Sequence, residues 1–148
     1  MREELIKRVR AVGVADFEEV ALMVYSWQIR NNPVYRKYVD LLGRLHRVPK
    51  QLSDIPFLPI SLFKSHHIQT GIWTADCFFT SSGTTGKTTS RHPVRDLRWY
   101  DEVCRRCFES GYGPLSDWTI LALLPSYLER EGSSLVRMAR HFIEHSAG

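Results

Sequence analysis

The sequence contains few cysteines, no long apolar run and no strong excess of either charge. Its 148 residues include three cysteines, an odd number that argues against a disulfide framework. No stretch approaches the roughly 18 consecutive apolar residues of a membrane span, and the charged residues 1–8 lack the apolar core of a secretory signal. The sequence therefore predicts a cytoplasmic protein without a membrane-spanning segment.

The composition is otherwise that of an ordinary globular domain. Hydrophobic residues make up 43% of the chain, and 20 basic against 16 acidic residues give a net charge of +4. This mild basicity suits an anionic ligand but does not indicate nucleic-acid binding. We predict a single domain over residues 1–148, with a helical part at 1–54 and an α/β part at 55–148.

Apolar spacing and capping residues predict helices in the first third of the chain. Residues 16–30 carry apolar side chains at three-and-four spacing, and Asp16 suits the start of that helix. Pro33 suits the first position of a second helix. Pro49, Pro56 and Pro59 then forbid a long helix and predict a loop.

The remainder of the chain alternates strand and helix signals. Residues 72–80 and the apolar run 118–124 predict strands, the second one central in a parallel sheet. Asp96 suits the cap of a helix closed by Gly111, and Ser133 or Ser134 suits the cap of a last helix. We therefore predict an α/β fold in which N-terminal helices precede a βαβα unit with parallel strands.

The segment after the first predicted strand contains only small polar residues and glycine before a lysine. Residues 80–87 read Thr-Ser-Ser-Gly-Thr-Thr-Gly-Lys. Glycine admits close backbone approach, hydroxyls donate hydrogen bonds, and consecutive backbone N–H groups form anion-binding nests. This pattern predicts a phosphate-binding loop, with a polar surface loop as the alternative.

A nucleotide hydrolase of the Walker A type is a second interpretation of this loop. The triplet Gly86-Lys87-Thr88 matches the end of that motif, but the motif requires glycine where this chain has Ser81. The helix predicted from Asp96 also begins too late for a loop that should open directly into its helix. These departures disfavour the Walker A interpretation.

Several segments in order resemble the acyl-protein synthetase family, within the superfamily of adenylate-forming enzymes. They are residues 55–64, the loop 79–86, residues 90–92, the stretch Leu-Ala-Leu-Leu-Pro-Ser-Tyr-Leu-Glu-Arg at 121–130, and residues 132–136. The family includes the synthetase component of the bacterial bioluminescence fatty-acid reductase. The sequence departs from the superfamily pattern after Gly86, where the usual proline and lysine are absent from their places.

This resemblance implies ATP-dependent activation of a carboxylic acid. A fatty acid would react with ATP and Mg²⁺ to give an acyl-adenylate, and the acyl group would pass to a protein thiol and on to a partner of the acyl-CoA reductase type. The implied nucleotide phosphate-binding residues are Ser81, Ser82, Gly83, Thr84, Thr85, Gly86 and Lys87. Arg91 and His92 are implied phosphate or carboxylate contacts, and Ser126 and Tyr127 are implied residues of the acyl pocket.

The resemblance also implies that more chain is needed for activity. The adenine-binding segment and the C-terminal domain with the catalytic lysine would follow residue 148 in such an enzyme. We therefore expect an N-terminal portion that is inactive alone. The alternative is a non-catalytic module that covers an open sheet edge with a second copy, as a homodimer.

Two further motifs are explained more simply by helix surfaces. Cys104 and Cys107 form a Cys-x-x-Cys pair in the middle of a predicted helix, where free cysteines behave as small apolar residues. His141 and His145 form an inverted zinc-protease motif without a third ligand downstream. We predict no metal site at either.

Overall fold

A computed structural model describes residues 2–81, 89–123 and 132–147. These residues form a mixed α and β structure with five α-helices and a two-stranded sheet. The chain divides into two compact units, residues 1–72 and 73–148. The predicted change of character at residue 55 falls inside the first unit, because residues 55–70 pack against and hydrogen-bond to its helices.

The first unit contains helices α1 (Arg2–Ala11), α2 (Phe17–Asn31) and α3 (Pro33–Leu41). Short 3-10 turns follow at Leu52–Asp54 and Ile60–Lys64. Tyr25, Tyr35, Val39 and Ile55 form the buried cluster that joins α2, α3 and the segment around the first turn, and the two tyrosine rings meet edge to face at 6.1 Å. The helices predicted from Asp16 and from Pro33 are confirmed.

The second unit contains strands β1 (Cys77–Thr80) and β2 (Arg91–Val94), followed by helices α4 (Leu97–Tyr112) and α5 (Ser134–His145). The Asp96 carboxylate accepts a hydrogen bond from the Arg98 N–H, and the Ser133 hydroxyl accepts one from the Val136 N–H. Both predicted caps are thus confirmed. Helix α4 ends at Tyr112 rather than at Gly111, with Gly113 at φ +82° as its C-cap.

An aromatic cluster joins α4, α5 and the segment between them. Phe108 contacts Phe142, Tyr112 and Trp118 at ring distances of 5.2, 4.9 and 6.1 Å. Leu115 lies in a 3-10 turn at Leu115–Asp117 and is 1% exposed. Leu115 and Phe142 are buried in the core of the second unit together with Val136 and Ala139, whereas Tyr112 and Trp118 lie at its exposed edge.

The sheet differs from the predicted parallel arrangement. β1 pairs antiparallel with β2, so that Thr80 lies opposite Arg91 and Cys77 lies opposite Val94. Antiparallel partners can be joined by a loop, whereas parallel partners need a longer crossover. The predicted first strand also begins later than expected, at Cys77 rather than at residue 72.

The second predicted strand does not pair in the described part of the chain. Residues 118–123 form no ladder, and Leu121 and Leu123 are 92% and 98% exposed. On the edge of β1 that does not pair with β2, Gly132 takes the place of a strand, and its carbonyl accepts a hydrogen bond from the Thr80 N–H at 2.9 Å. The prediction of a central parallel strand over residues 118–124 is therefore wrong for its described residues.

Candidate functional site

The ends of the predicted phosphate loop are fastened together directly after β1. The Ser81 N–H donates to the Ser90 carbonyl at 3.2 Å, and the Ser90 N–H donates to the Ser81 hydroxyl at 3.0 Å. We call this pair of residues the loop neck. Ser90 is buried, so the neck is a fixed base rather than a surface bend. Six predicted phosphate-binding residues beyond Ser81 lie outside the described residues, namely Ser82, Gly83, Thr84, Thr85, Gly86 and Lys87.

Arg91 and His92 are consecutive residues of β2, and their side chains therefore lie on opposite faces of the hairpin. The Arg91 guanidinium lies over the Phe78 ring at 4.4 Å. His92 Nε2 lies 3.1 Å from the Ser90 hydroxyl, on the other face. Of the two predicted contacts, only one can therefore approach a ligand on a given face.

The electrostatic character of these two side chains also differs. Burial lowers the pKa of His92 below its usual 6.5, so its ring is neutral at pH 7. It can exchange hydrogen bonds with a ligand but supplies no charge. Arg91 is exposed and carries its charge next to the loop neck. Arg91 is the better of the two for contact with a phosphate.

Gly132 lies against the end of β1, next to the loop neck. It accepts the Thr80 hydrogen bond, and its φ is +85°. A Cβ at this position would lie 3.0 Å from the Phe78 carbonyl oxygen, so the close approach requires glycine. Ser126 and Tyr127, the predicted acyl-pocket residues, precede Gly132 and lie outside the described residues.

A cavity of about 420 Å³ adjoins β1 and the N-terminal half of α5. Its described lining includes two cations, Arg137 and Arg140, and the hydroxyls of Thr80 and Ser133. Arg137 pairs with the buried Asp101, whereas the described residues provide no ion pair for the exposed Arg140. Cations and hydroxyls suit an anionic ligand, but no carboxylate lines this cavity among the residues that the structure describes.

The two other motifs lie on helix surfaces. Cys104 and Cys107 are free thiols of α4, and burial raises the pKa of the Cys104 thiol. The His141 and His145 rings lie 4.2 Å apart on α5. Within residues 2–81, 89–123 and 132–147, no group of three His, Cys, Asp or Glu side chains is placed to hold a metal ion.

A larger cavity, which the sequence pattern did not predict, lies in the first unit. This apolar cavity has a volume of about 550 Å³, and its lining combines residues of the helices with residues of the segment that was predicted as a loop. The apolar face of α2 was visible in the sequence. The residues that complete the lining, from Leu52 to Ile68, have no regular spacing and gave no comparable signal.

Comparisons of this chain with protein-family models, with curated proteins and with solved structures found no match. None of the described helices is long and apolar enough to cross a membrane.

Proposed function

We propose that this chain carries the nucleotide phosphate-binding part of an acyl-protein synthetase, an adenylate-forming enzyme that activates a fatty acid. The observation that carries the proposal is the loop neck. Ser81 and Ser90 hold the Ser/Thr/Gly segment at both ends, directly after β1. A loop with fixed ends presents its N–H groups and hydroxyls to an anion without first losing the entropy of closure.

Two further contacts support this proposal. Arg91 places an exposed cation beside the neck, where it can bind phosphate oxygens. The hydrogen bond between Thr80 and Gly132 brings the first residue of the segment 132–136 to the end of β1. Residues of two segments that resemble one family, but lie far apart in the sequence, thus meet next to the loop neck.

The proposed chemistry makes a poor electrophile reactive. The acid's carboxylate oxygen attacks the α-phosphorus of ATP, pyrophosphate leaves, and the resulting acyl-adenylate loses AMP when a protein thiol attacks its carbonyl carbon. The contribution of this chain is to position and neutralise the phosphates through the loop and Arg91. The described lining of the cavity contains no carboxylate, so we assign Mg²⁺ no ligand among the residues that the structure describes.

The order of elements disfavours the Walker A alternative. A Walker A loop leads directly into a helix, whose N-terminus binds phosphate. Here β2 (Arg91–Val94) follows the loop, and α4 begins only at Leu97. The described arrangement is strand, loop and strand, which lacks that helix N-terminus.

Calorimetric titration of this chain with MgATP tests the phosphate site. Arg91→Gln should weaken binding about fivefold, because an exposed ion pair contributes up to about 1 kcal/mol. Arg95→Gln is the matched control, since Arg95 is an exposed arginine that also lies over an aromatic ring, that of Trp73. Equal loss in both variants would show that general charge, and not the neck, attracts the nucleotide.

The activity itself is tested in the protein that carries this chain. Fatty acid, ATP and Mg²⁺ together should release pyrophosphate, and the double substitution Thr84→Ala with Thr85→Ala should abolish most of it. Transfer of labelled acyl groups to a reductase-type partner would then identify the acceptor thiol. Absence of acid-dependent pyrophosphate release with every chain length tried would overturn the proposal.

The exposure of Leu121 and Leu123 favours a second candidate function, a self-associating module. Two nearly fully exposed leucines, in a segment whose described residues form no ladder, suit pairing with a second copy. Light scattering should then show a homodimer that Leu121→Ser with Leu123→Ser converts to monomer. A monomeric parent chain would reject this candidate.

A further inference from the structure

The apolar cavity of the first unit has the properties of a ligand site. It holds about 550 Å³ and lies between α1, α2, α3 and the following segment. Val20, Val24, Leu52, Ile55 and Phe63 are among its apolar lining residues. No charged side chain lines it among the residues that the structure describes. A cavity of this size and character matches those that bind small apolar molecules.

A chain of hydrogen bonds fixes the orientation of one polar group in this lining. Asn32 caps α3, and its Oδ1 accepts a hydrogen bond from the Tyr35 N–H at 3.1 Å. The Asn32 Nδ2 is therefore the donor, and it contacts Gln28 Oε1 at 3.2 Å. The Thr70 hydroxyl donates to the same Gln28 oxygen at 2.5 Å. Because Asn32 is only 4% exposed, this arrangement is shielded from competition by water.

These hydrogen bonds also determine which atom of the Gln28 amide can bind a ligand. Because two donors hold Oε1, the amide group cannot rotate to exchange its oxygen and nitrogen, and Nε2 is the atom left to bind a ligand. Nε2 has no hydrogen-bond partner among the described residues, and Gln28 lines the cavity. The other lining amide, Asn32, uses both of its ends, and the Tyr35 hydroxyl donates to the Pro56 carbonyl at 2.7 Å. The cavity thus offers an oriented amide donor within an apolar lining.

We propose that this cavity binds a neutral apolar molecule that carries a carbonyl oxygen, with Gln28 Nε2 donating to that oxygen. The lining excludes charged ligands, because a buried carboxylate would lack a cation and a buried ammonium would meet a donor. The proposal does not rest on the proposed function. That function places a phosphate loop in the second unit and takes a carboxylic acid, which is a different class of ligand.

Calorimetric titration with three eight-carbon probes at pH 8.5 tests the ligand class. The ketone 2-octanone should bind, and octanoate and octylammonium, which have matching chains and opposite charges, should each bind at least tenfold more weakly. Extension to 2-decanone should tighten binding about 15-fold, which corresponds to about 0.8 kcal/mol for each buried CH₂. Absence of ketone binding, or equal binding of octanoate, would overturn the proposal.

Gln28→Glu tests the role of the amide donor. The substitution keeps an oxygen acceptor for Asn32 and Thr70 but replaces the NH₂ with a second oxygen. It should weaken 2-octanone binding about tenfold or more and should strengthen octylammonium binding. Ser26→Glu is the matched control, because it adds the same charge to α2 at an exposed position outside the cavity lining. Equal effects of the two variants would refute the assignment to Gln28.

Val24→Phe provides a second variant that changes volume without changing polarity. It should abolish binding of both ketones while the circular dichroism of α2 is retained, because the larger ring fills the cavity. Unchanged ketone affinity in this variant would place binding elsewhere and overturn the proposal. A homodimer detected by light scattering, in which a helix of the second copy fills the cavity and excludes 2-octanone, would also overturn the proposal.

Discussion

The ion pair between Asp101 and Arg137 allows a quantitative prediction about the second unit. Arg137 on α5 reaches Asp101 on α4 through two contacts, one of them from Nε to Oδ1 at 2.9 Å. The Asp101 side chain is 9% exposed and the Arg137 side chain is 39% exposed. Loss of one partner costs roughly 3–5 kcal/mol in a buried pair, and exposed pairs contribute roughly 0.2–1 kcal/mol. A half-covered pair should lie between these values, at about 2 kcal/mol.

A double-mutant cycle measures this coupling free energy. Asp101→Asn, Arg137→Gln and the double variant are unfolded in urea and followed by the fluorescence of Trp99 and Trp118, which lie in the same unit. The coupling energy should be about 2 kcal/mol. Arg140→Gln is the control, since this arginine is exposed on the same helix and should change stability by less than about 0.5 kcal/mol.

The pH dependence of the cycle provides a second check. The hydrogen bonds from Arg137 lower the pKa of Asp101 below its usual 3.8. A group with a lowered pKa in the folded state stabilises fully above its unfolded pKa, and this contribution is lost as the pH falls through the folded value. The coupling should therefore stay constant from pH 7 to about pH 5 and shrink below about pH 4. A coupling below about 0.5 kcal/mol at pH 7 would refute the reasoning.

Three further predictions concern stability and titration. Gly132→Ala should lower the free energy of unfolding in urea by at least about 1 kcal/mol more than Gly113→Ala does. The two φ angles are similar, at +85° and +82°, but only a Cβ at position 132 would meet the Phe78 carbonyl, and equal costs would reject that close contact. Leu115→Ala should cost about 3 kcal/mol, since the side chain is 1% exposed, and a cost below about 1 kcal/mol would contradict its place in the core. In an NMR titration His92 should show a pKa below 6.5, and a value above that would contradict its burial.

The helices were predictable because their determinants are local. Asp96 and Ser133 cap helices through N–H groups two and three residues ahead, and Pro33 occupies the first turn of its own helix. Each of these contacts is complete within a few residues. A single sequence therefore contains the information that places them.

The sheet was harder to predict because a strand pattern does not specify a partner. The apolar run at 118–123 has the composition of a buried strand, yet Leu121 and Leu123 are exposed. β2 was not among the predicted strands, and it contains Pro93, which lacks a ladder donor. Proline is compatible with an edge strand, and β2 pairs on one side only in the described part of the sheet.

The candidate sites show the same division between local and long-range information. The small residues that follow β1 identify the phosphate loop as a pattern, but the pairing of Ser81 with Ser90 needs the return of the chain through β2. The apolar cavity depends on contacts between α2 and residues that follow α3. No spacing rule relates Gln28 to Thr70, so their hydrogen bond was not predictable.

Asn32 thus determines the polarity of the cavity as well as the start of a helix. Aspartate caps helices as well as asparagine does, so Asn32→Asp should keep the cap of α3, although a carboxylate at a position that is only 4% exposed lowers the free energy of unfolding. An aspartate has no donor, however, and would accept hydrogen bonds from Thr70 and from Gln28, whose amide would turn to present its oxygen to the cavity. Calorimetry should then show a preference for 1-octanol over 2-octanone. One atom exchanged in a helix cap would convert a donor site into an acceptor site.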